Sequence, residues 1–142
     1  MFFKSVFSTI TTPSRFDLDW YGYYTNQVAH IAHGVLGTWL FCAVAFLISD
    51  DLPSKLQVFL SISVIYAAKE LILDRWQGFD TIEDILFVVV YGAGGTLLSF
   101  RQMNAHSPDS VFNVLNALPV LVPCGVHLFI GSFTRWKAAR DE

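Results

Sequence analysis

The chain has 142 residues, of which 54% are hydrophobic and only 15% are charged, and its formal net charge is −3. This composition is too apolar for an ordinary soluble domain of that length, and it indicates an integral membrane protein. The small negative net charge and the lack of a basic stripe argue against nucleic acid as a partner. Cys42 and Cys124 fall within apolar segments, so we expect them to pack as small apolar side chains rather than form a disulfide.

The first segment, residues 1–25, is rich in aromatic residues. It lacks the continuous apolar run and the small-residue cleavage site of a secretory signal, so we expect it to lie at the membrane interface. The predicted organisation is a single membrane domain over 1–142. It consists of this interfacial segment, a membrane bundle over 26–135 and a cytoplasmic tail over 136–142.

Four apolar stretches follow, and each is close to the twenty residues that a helix needs to cross a hydrocarbon core. They are Val28–Ser49, Leu56–Leu73, Ile82–Phe100 and Val111–Phe133. The predicted fold is therefore all-α, a membrane bundle of four transmembrane helices. Thr81 is a candidate N-cap for the third helix, with Asp84 three residues on, and Pro119 and Pro123 predict a bend in the fourth helix.

The basic residues are distributed unequally between the two sides of such a bundle. One side carries Lys4, Arg15, Lys69, Arg75, Arg135, Lys137 and Arg140, and the other carries only Lys55 and Arg101. Because cytoplasmic loops are enriched in Lys and Arg, this asymmetry predicts that both termini are cytoplasmic.

Polar residues interrupt the apolar chain at the cytoplasmic ends of these segments. His30 and His33 lie one turn apart at the start of the first helix, and Glu70 and Asp74 lie one turn apart at the end of the second. Ionisable groups at membrane depth are costly, which favours a functional site. The predicted site consists of His30, His33, Glu70, Asp74, Asp80, Asp84 and, in the last third of the fourth helix, His127.

Glycines accompany the polar residues on two of the predicted helices. Gly34 and Gly37 follow the histidines on the first helix, and Gly92, Gly94 and Gly95 lie on the third. Small residues let helix backbones approach closely in membranes, so we expect these two helices to pack tightly.

Three chemical interpretations of the polar site stay open. His30, His33, Glu70 and Asp74 could together bind a divalent metal such as Zn, Mn or Fe, although their spacing is no recognised metal motif. Without metal, the same residues and Asp84 could act as catalytic acids and bases or as a proton relay. In a purely structural role, Lys69 and Arg75 would neutralise the acids.

The order of these motifs resembles the VanZ-like membrane proteins and the related small YfiM-like family. The resemblance covers about residues 26–97: the run from Asn26 to His30 and Gly34, then Lys69 to Asp74, then Asp84 with the later glycines. The usual Asp-Lys pair is replaced here by Asn26-Gln27, and Val88 stands where an Asn is usual. The resemblance implies a bacterial inner-membrane protein with an envelope-associated role.

Two functions are therefore expected from the sequence. In the first, a VanZ-like site at the cytoplasmic membrane edge binds or acts on a lipid or envelope-precursor headgroup or an ion. In the second, the chain is a non-enzymatic subunit of a larger membrane assembly. Both imply membrane lipids as partners, and the second implies a homo-oligomer or a larger complex.

Overall fold

A computed structural model describes residues 19–73, 79–100 and 113–141. The described chain is helical, which confirms the predicted all-α class. The helices are α1 (Trp20–Ser49), α2 (Lys55–Ile72), α3 (Phe79–Ile85), a π-helical segment (Leu86–Gly94), α4 (Gly95–Ser99), a 3₁₀ turn (Val114–Ala117) and α5 (Leu118–Asp141). Thr81 lies inside α3, so it is not the N-cap that the sequence suggested.

Local caps set the limits of the first two helices. α1 starts before the predicted span because the Asp19 carboxylate accepts a hydrogen bond from the backbone N–H of Tyr21. It ends at Asp50, whose left-handed conformation (φ 56°) turns the chain. α2 begins with a capping box, in which Ser54 and Gln57 each satisfy the other's backbone N–H.

Within the described residues, three helices are long and apolar enough to cross a membrane, namely Trp20–Ser49, Thr81–Ser99 and Val114–Arg140. The last of these continues through Pro123, which lies inside α5. The predicted second span corresponds to α2, which is 18 residues long and includes Lys55, Lys69 and Glu70.

The helices are arranged side by side, with α1 parallel to the α3–π–α4 run. Near the start of α1, the Tyr23 hydroxyl donates to Glu83 of α3. Further along α1, Cys42 packs in one cluster with Ala93 and Leu97. α2 is antiparallel to α1. His30, in the first half of α1, contacts Tyr66 in the second half of α2, whereas Cys42, in the second half of α1, packs with Val58 near the start of α2.

The backbones of α1 and the π-helical segment approach each other closely. A Cβ built on Gly34 would lie 2.9 Å from Gly92 Cα and 2.9 Å from Ala93 N. A Cβ built on Gly92 would lie 2.6 Å from Ile31 O. Neither position has room for a side chain, so the predicted tight packing of these two helices is confirmed.

We therefore expect Gly34→Ala and Gly92→Ala to destabilise the protein, although alanine favours helix formation. The added methyl group must force the two backbones apart, at a cost of about 2 kcal/mol. Unfolding in mixed detergent micelles measures this change. Gly37→Ala is the matched control, because its Cβ would lie 3.6 Å from Ile62 Cδ1, an ordinary contact. Equal stability of the Gly34 and Gly37 variants would contradict the prediction.

Candidate functional site

Polar side chains from α1, α2, α3 and α5 meet at one end of the bundle. This end contains the first half of α1, the end of α2, the start of α3 and the second half of α5. At the opposite end, the contacts include the Lys55 ammonium group donating to the Phe100 carbonyl and the Trp39 ring packing on the Phe100 ring. The candidate site therefore occupies one end of the bundle.

The first group of hydrogen bonds is centred on Asp84 and is called the Asp84 network. The imidazole Nε2 of His30 lies 3.3 Å from Asp84 Oδ1. The Gln27 side-chain amide donates to the same oxygen at 3.4 Å. On the other side of the imidazole, the Tyr66 hydroxyl lies 3.0 Å from His30 Nδ1. The network thus links α1, α2 and α3.

The second group is centred on the preceding residue and is called the Glu83 network. The Tyr23 hydroxyl donates to Glu83 Oε1 at 2.6 Å, and His127 Nε2 lies 2.9 Å from the same oxygen. The Tyr91 hydroxyl lies 3.4 Å from His127 Nδ1. This network links α1, α3, the π-helical segment and α5.

The two networks share one order of donors and acceptors. An ionised carboxylate only accepts, so Nε2 of each histidine must carry the proton that faces it. In a neutral imidazole, Nδ1 is then the acceptor, and the tyrosine hydroxyl donates to it. Each network therefore runs from a phenol to an imidazole to a carboxylate, with a second neutral donor, Tyr23 or Gln27, on the same carboxylate oxygen.

Two of the acids at this end, Glu70 and Glu83, are held away from solvent. Glu83 is 7% exposed and Glu70 is 2% exposed. Glu70 accepts a hydrogen bond from Lys69 at 2.8 Å, and the Lys69 ammonium group lies 5.1 Å from the centre of the Tyr66 ring. Cation–π and ion-pair contacts of this kind offset part of the cost of burying charge.

Arg135 stands beside the Glu83 network. Its guanidinium lies 3.7 Å from the centre of the Tyr23 ring and donates to the Gly131 carbonyl. The Tyr23 ring in turn occupies the space where Gly131 would have a Cβ, 2.5 Å from the ring. A positive charge is therefore held against the ring of the phenol that donates to Glu83.

The structure brings together some of the predicted site residues. His30 and Asp84 are joined directly, and His127 belongs to the Glu83 network. Glu70 lies at the same end and pairs with Lys69. His33 is exposed on α1, with its ring centre 6.3 Å from that of His30.

The predicted metal site extends beyond the described residues. Asp74 and the Asp80 side chain lie outside them, so their convergence with the histidines stays a prediction. Within the described ranges, no group of three or more His, Cys, Asp or Glu side chains could hold a metal ion.

Several members of the two networks escaped the sequence interpretation. Tyr23 was assigned to the interfacial aromatic residues, yet it is 2% exposed, and Gln27 is also 2% exposed. The missed signal is helical spacing: Tyr23, Gln27, His30 and Gly34 recur at intervals of three and four residues on one face of α1. Tyr66 and Tyr91 carry no such signal, because tyrosine is common in apolar helices.

No protein-family model matches the chain, and neither a curated protein nor a solved structure does.

The donor order of the networks predicts the histidine tautomers. We expect His30 and His127 to be single Nε2–H tautomers at neutral pH, because each Nδ1 accepts a tyrosine proton. Nitrogen-15 NMR of ¹⁵N-histidine-labelled protein in micelles measures the tautomers, with signals assigned by single His→Gln variants. His33, which is exposed, is the internal control and should show averaged signals. An Nδ1–H form at His30 or His127 would contradict the assigned order.

Proposed function

We propose that this is an integral membrane protein of four spans with cytoplasmic termini. We further propose that its polar end binds or acts on the headgroup of a lipid or envelope precursor, or an ion, as the VanZ-like resemblance implies. The observation on which this proposal mainly rests is the Asp84 network. It is a carboxylate–imidazole–phenol array at the end of helices that are otherwise apolar enough to cross a membrane. Ionisable groups at such depth are costly, and they commonly mark a functional site.

The Asp84 network retains capacity to bind a ligand. The Oε1 atom of Gln27 is buried and has no hydrogen-bond partner among the described residues. A buried acceptor without a partner is destabilising, so a hydroxyl or ammonium donor from a ligand would satisfy it. The side chains of His30 and Asp84 are 14% and 21% exposed, which leaves the pair partly open to the surroundings.

The same array is suited to acid–base chemistry. His30 shares one proton with Asp84 at Nε2 and can accept another at Nδ1, where the Tyr66 hydroxyl now donates. A carboxylate beside an imidazole supports the charged form of the ring while the proton is held. A proton can thus be taken from a bound hydroxyl or returned to it at this network.

The direction of the helices supports the four-span topology. α1 and the α3–π–α4 run are parallel, so a chain that crosses the membrane in both must return between them. α2 is the antiparallel helix in that interval, and its 18 residues correspond to about 27 Å, close to the thickness of a hydrocarbon core. Four crossings leave both termini on one side, and the asymmetry of the basic residues favours the cytoplasm.

One observation favours the second candidate, an accessory subunit of a larger assembly. Glu70, Glu83 and Asp84 already pair with Lys69, His127 and His30 inside the chain. Such pairs can serve solely to fix the helices against one another. The two candidates differ in whether breaking a pair releases a ligand or loosens the fold.

Substitutions in the Asp84 network distinguish the two candidates. We expect His30→Gln and Asp84→Asn to reduce the copurified lipid or metal by about tenfold, the loss of one hydrogen bond to a charged group. Their melting temperatures should stay near that of the parent protein. The measurements are native mass spectrometry, elemental analysis and thermal unfolding in detergent. His33→Gln, one turn along the same helix, is the matched control.

The opposite result would contradict the headgroup or ion proposal. If both variants unfold at much lower temperature, or lose a partner subunit without any loss of ligand, the Asp84 network holds the fold or the assembly together. The accessory-subunit candidate would then replace the first.

The topology has its own test. In a cysteine-free background, we expect a cysteine in place of Asp141 to be labelled by a membrane-impermeant maleimide only after the cells are opened. A cysteine in place of Ser54, which lies at the opposite end of the bundle, should be labelled from outside intact cells. Labelling of position 141 from outside would contradict the cytoplasmic assignment.

A further inference from the structure

A continuous stack of side chains lies along the outer face of α5 at the polar end of the bundle. The Phe129 and Phe133 rings are stacked with centres 5.9 Å apart, and the Phe133 and Trp136 ring centres are 5.7 Å apart. The Arg140 guanidinium then lies 4.8 Å from the centre of the Trp136 ring. These four residues, Phe129, Phe133, Trp136 and Arg140, are called the α5 stack.

The stack is exposed rather than packed against the other helices. Phe129 is 70% exposed, Phe133 is 48% exposed and Trp136 is 39% exposed. Arg140 lies eleven positions after Phe129, which corresponds to a rise of about 16 Å along a helix. The stack therefore changes along its length from apolar rings to an indole and then to a cation. That order matches the change from acyl chains to headgroups at the edge of a bilayer.

Among the side chains that the structure describes on the last turns of α5, the exposed charges are positive. Lys137 and Arg140 are exposed on the last turns of α5. By contrast, the acids Glu70 and Glu83 are almost fully buried and paired. Asp19, exposed at the start of α1, caps its own helix. An anionic surface that approaches the last turns of α5 therefore meets Lys137 and Arg140.

We propose that the α5 stack, with Lys137, is a binding surface for anionic phospholipid headgroups. Arg140 is fixed against Trp136, so its guanidinium is held at headgroup height, where its planar fork fits a phosphate. Lys137 adds a second, more mobile cation nearby. This surface is separate from both carboxylate networks. A negative result in its test would therefore not count against the proposed headgroup or ion site.

The test uses the full chain in nanodiscs made from an equimolar mixture of phosphatidylglycerol and phosphatidylcholine. Native mass spectrometry of the released protein–lipid complexes measures the ratio of the two lipids that remain bound. We expect phosphatidylglycerol to be enriched, and the enrichment to fall by about fivefold for each cation removed in Lys137→Gln and Arg140→Gln. It should also weaken as salt is raised.

Two further variants serve as controls. Arg140→Lys keeps the charge and should keep most of the enrichment. Lys55→Gln removes a cation at the opposite end of the bundle and should leave the enrichment from α5 in place, and circular dichroism confirms that each variant is helical. Equal retention of both lipids by the parent protein would overturn the proposal. So would enrichment that survives the double variant, or enrichment that is lost only in Lys55→Gln.

Discussion

The contact between the backbones of Gly34 and Gly92 sets the distance between the polar side chains of α1 and the carboxylates of α3. Because neither residue has a side chain, α1 lies directly against the π-helical segment. Tyr23, Gln27 and His30 precede Gly34 on the same face of α1, and Glu83 and Asp84 precede Gly92 on the parallel run. A wider separation of the two helices would lengthen all the hydrogen bonds from α1 to these two carboxylates at the same time. Close packing of the two helix backbones is thus the condition for the polar site.

Each carboxylate then meets the cost of burial in the same way. The charge of Glu83 is met by the Tyr23 hydroxyl and the His127 ring, and that of Asp84 by the Gln27 amide and the His30 ring. Neutral donors stabilise an ionised acid without adding a second charge beside it. The Nδ1 atoms of the two imidazoles in turn accept hydrogen bonds from the hydroxyls of Tyr66 and Tyr91. The outcome is two chains of dipoles that differ in their members and agree in their direction.

The sequence was sufficient for the features that depend on composition or on helical spacing. Apolar length predicted the three described helices that are long and apolar enough to cross a membrane, and the glycines predicted the tight contact that Gly34 and Gly92 make. His30 and Asp84 were selected because ionisable residues are rare in such segments. Their partners Tyr66 and Gln27 were not selected. To choose them, one must know how each helix is oriented about its own axis, and one sequence does not determine this. Thr81 illustrates the same limit: it resembles a cap, yet the helix begins before it and buries it.

Glu83 and Asp84 are consecutive residues, and this has a mechanical consequence. Neighbouring side chains leave an α-helix about 100° apart, so one carboxylate points toward His127 of α5 and the other toward His30 of α1. A rotation of α3 about its own axis that shortens one of these contacts must lengthen the other. The two networks therefore restrain the rotation of α3 in opposite directions. A ligand that displaced either histidine would therefore leave α3 and the π-helical segment that continues it restrained by the other network alone.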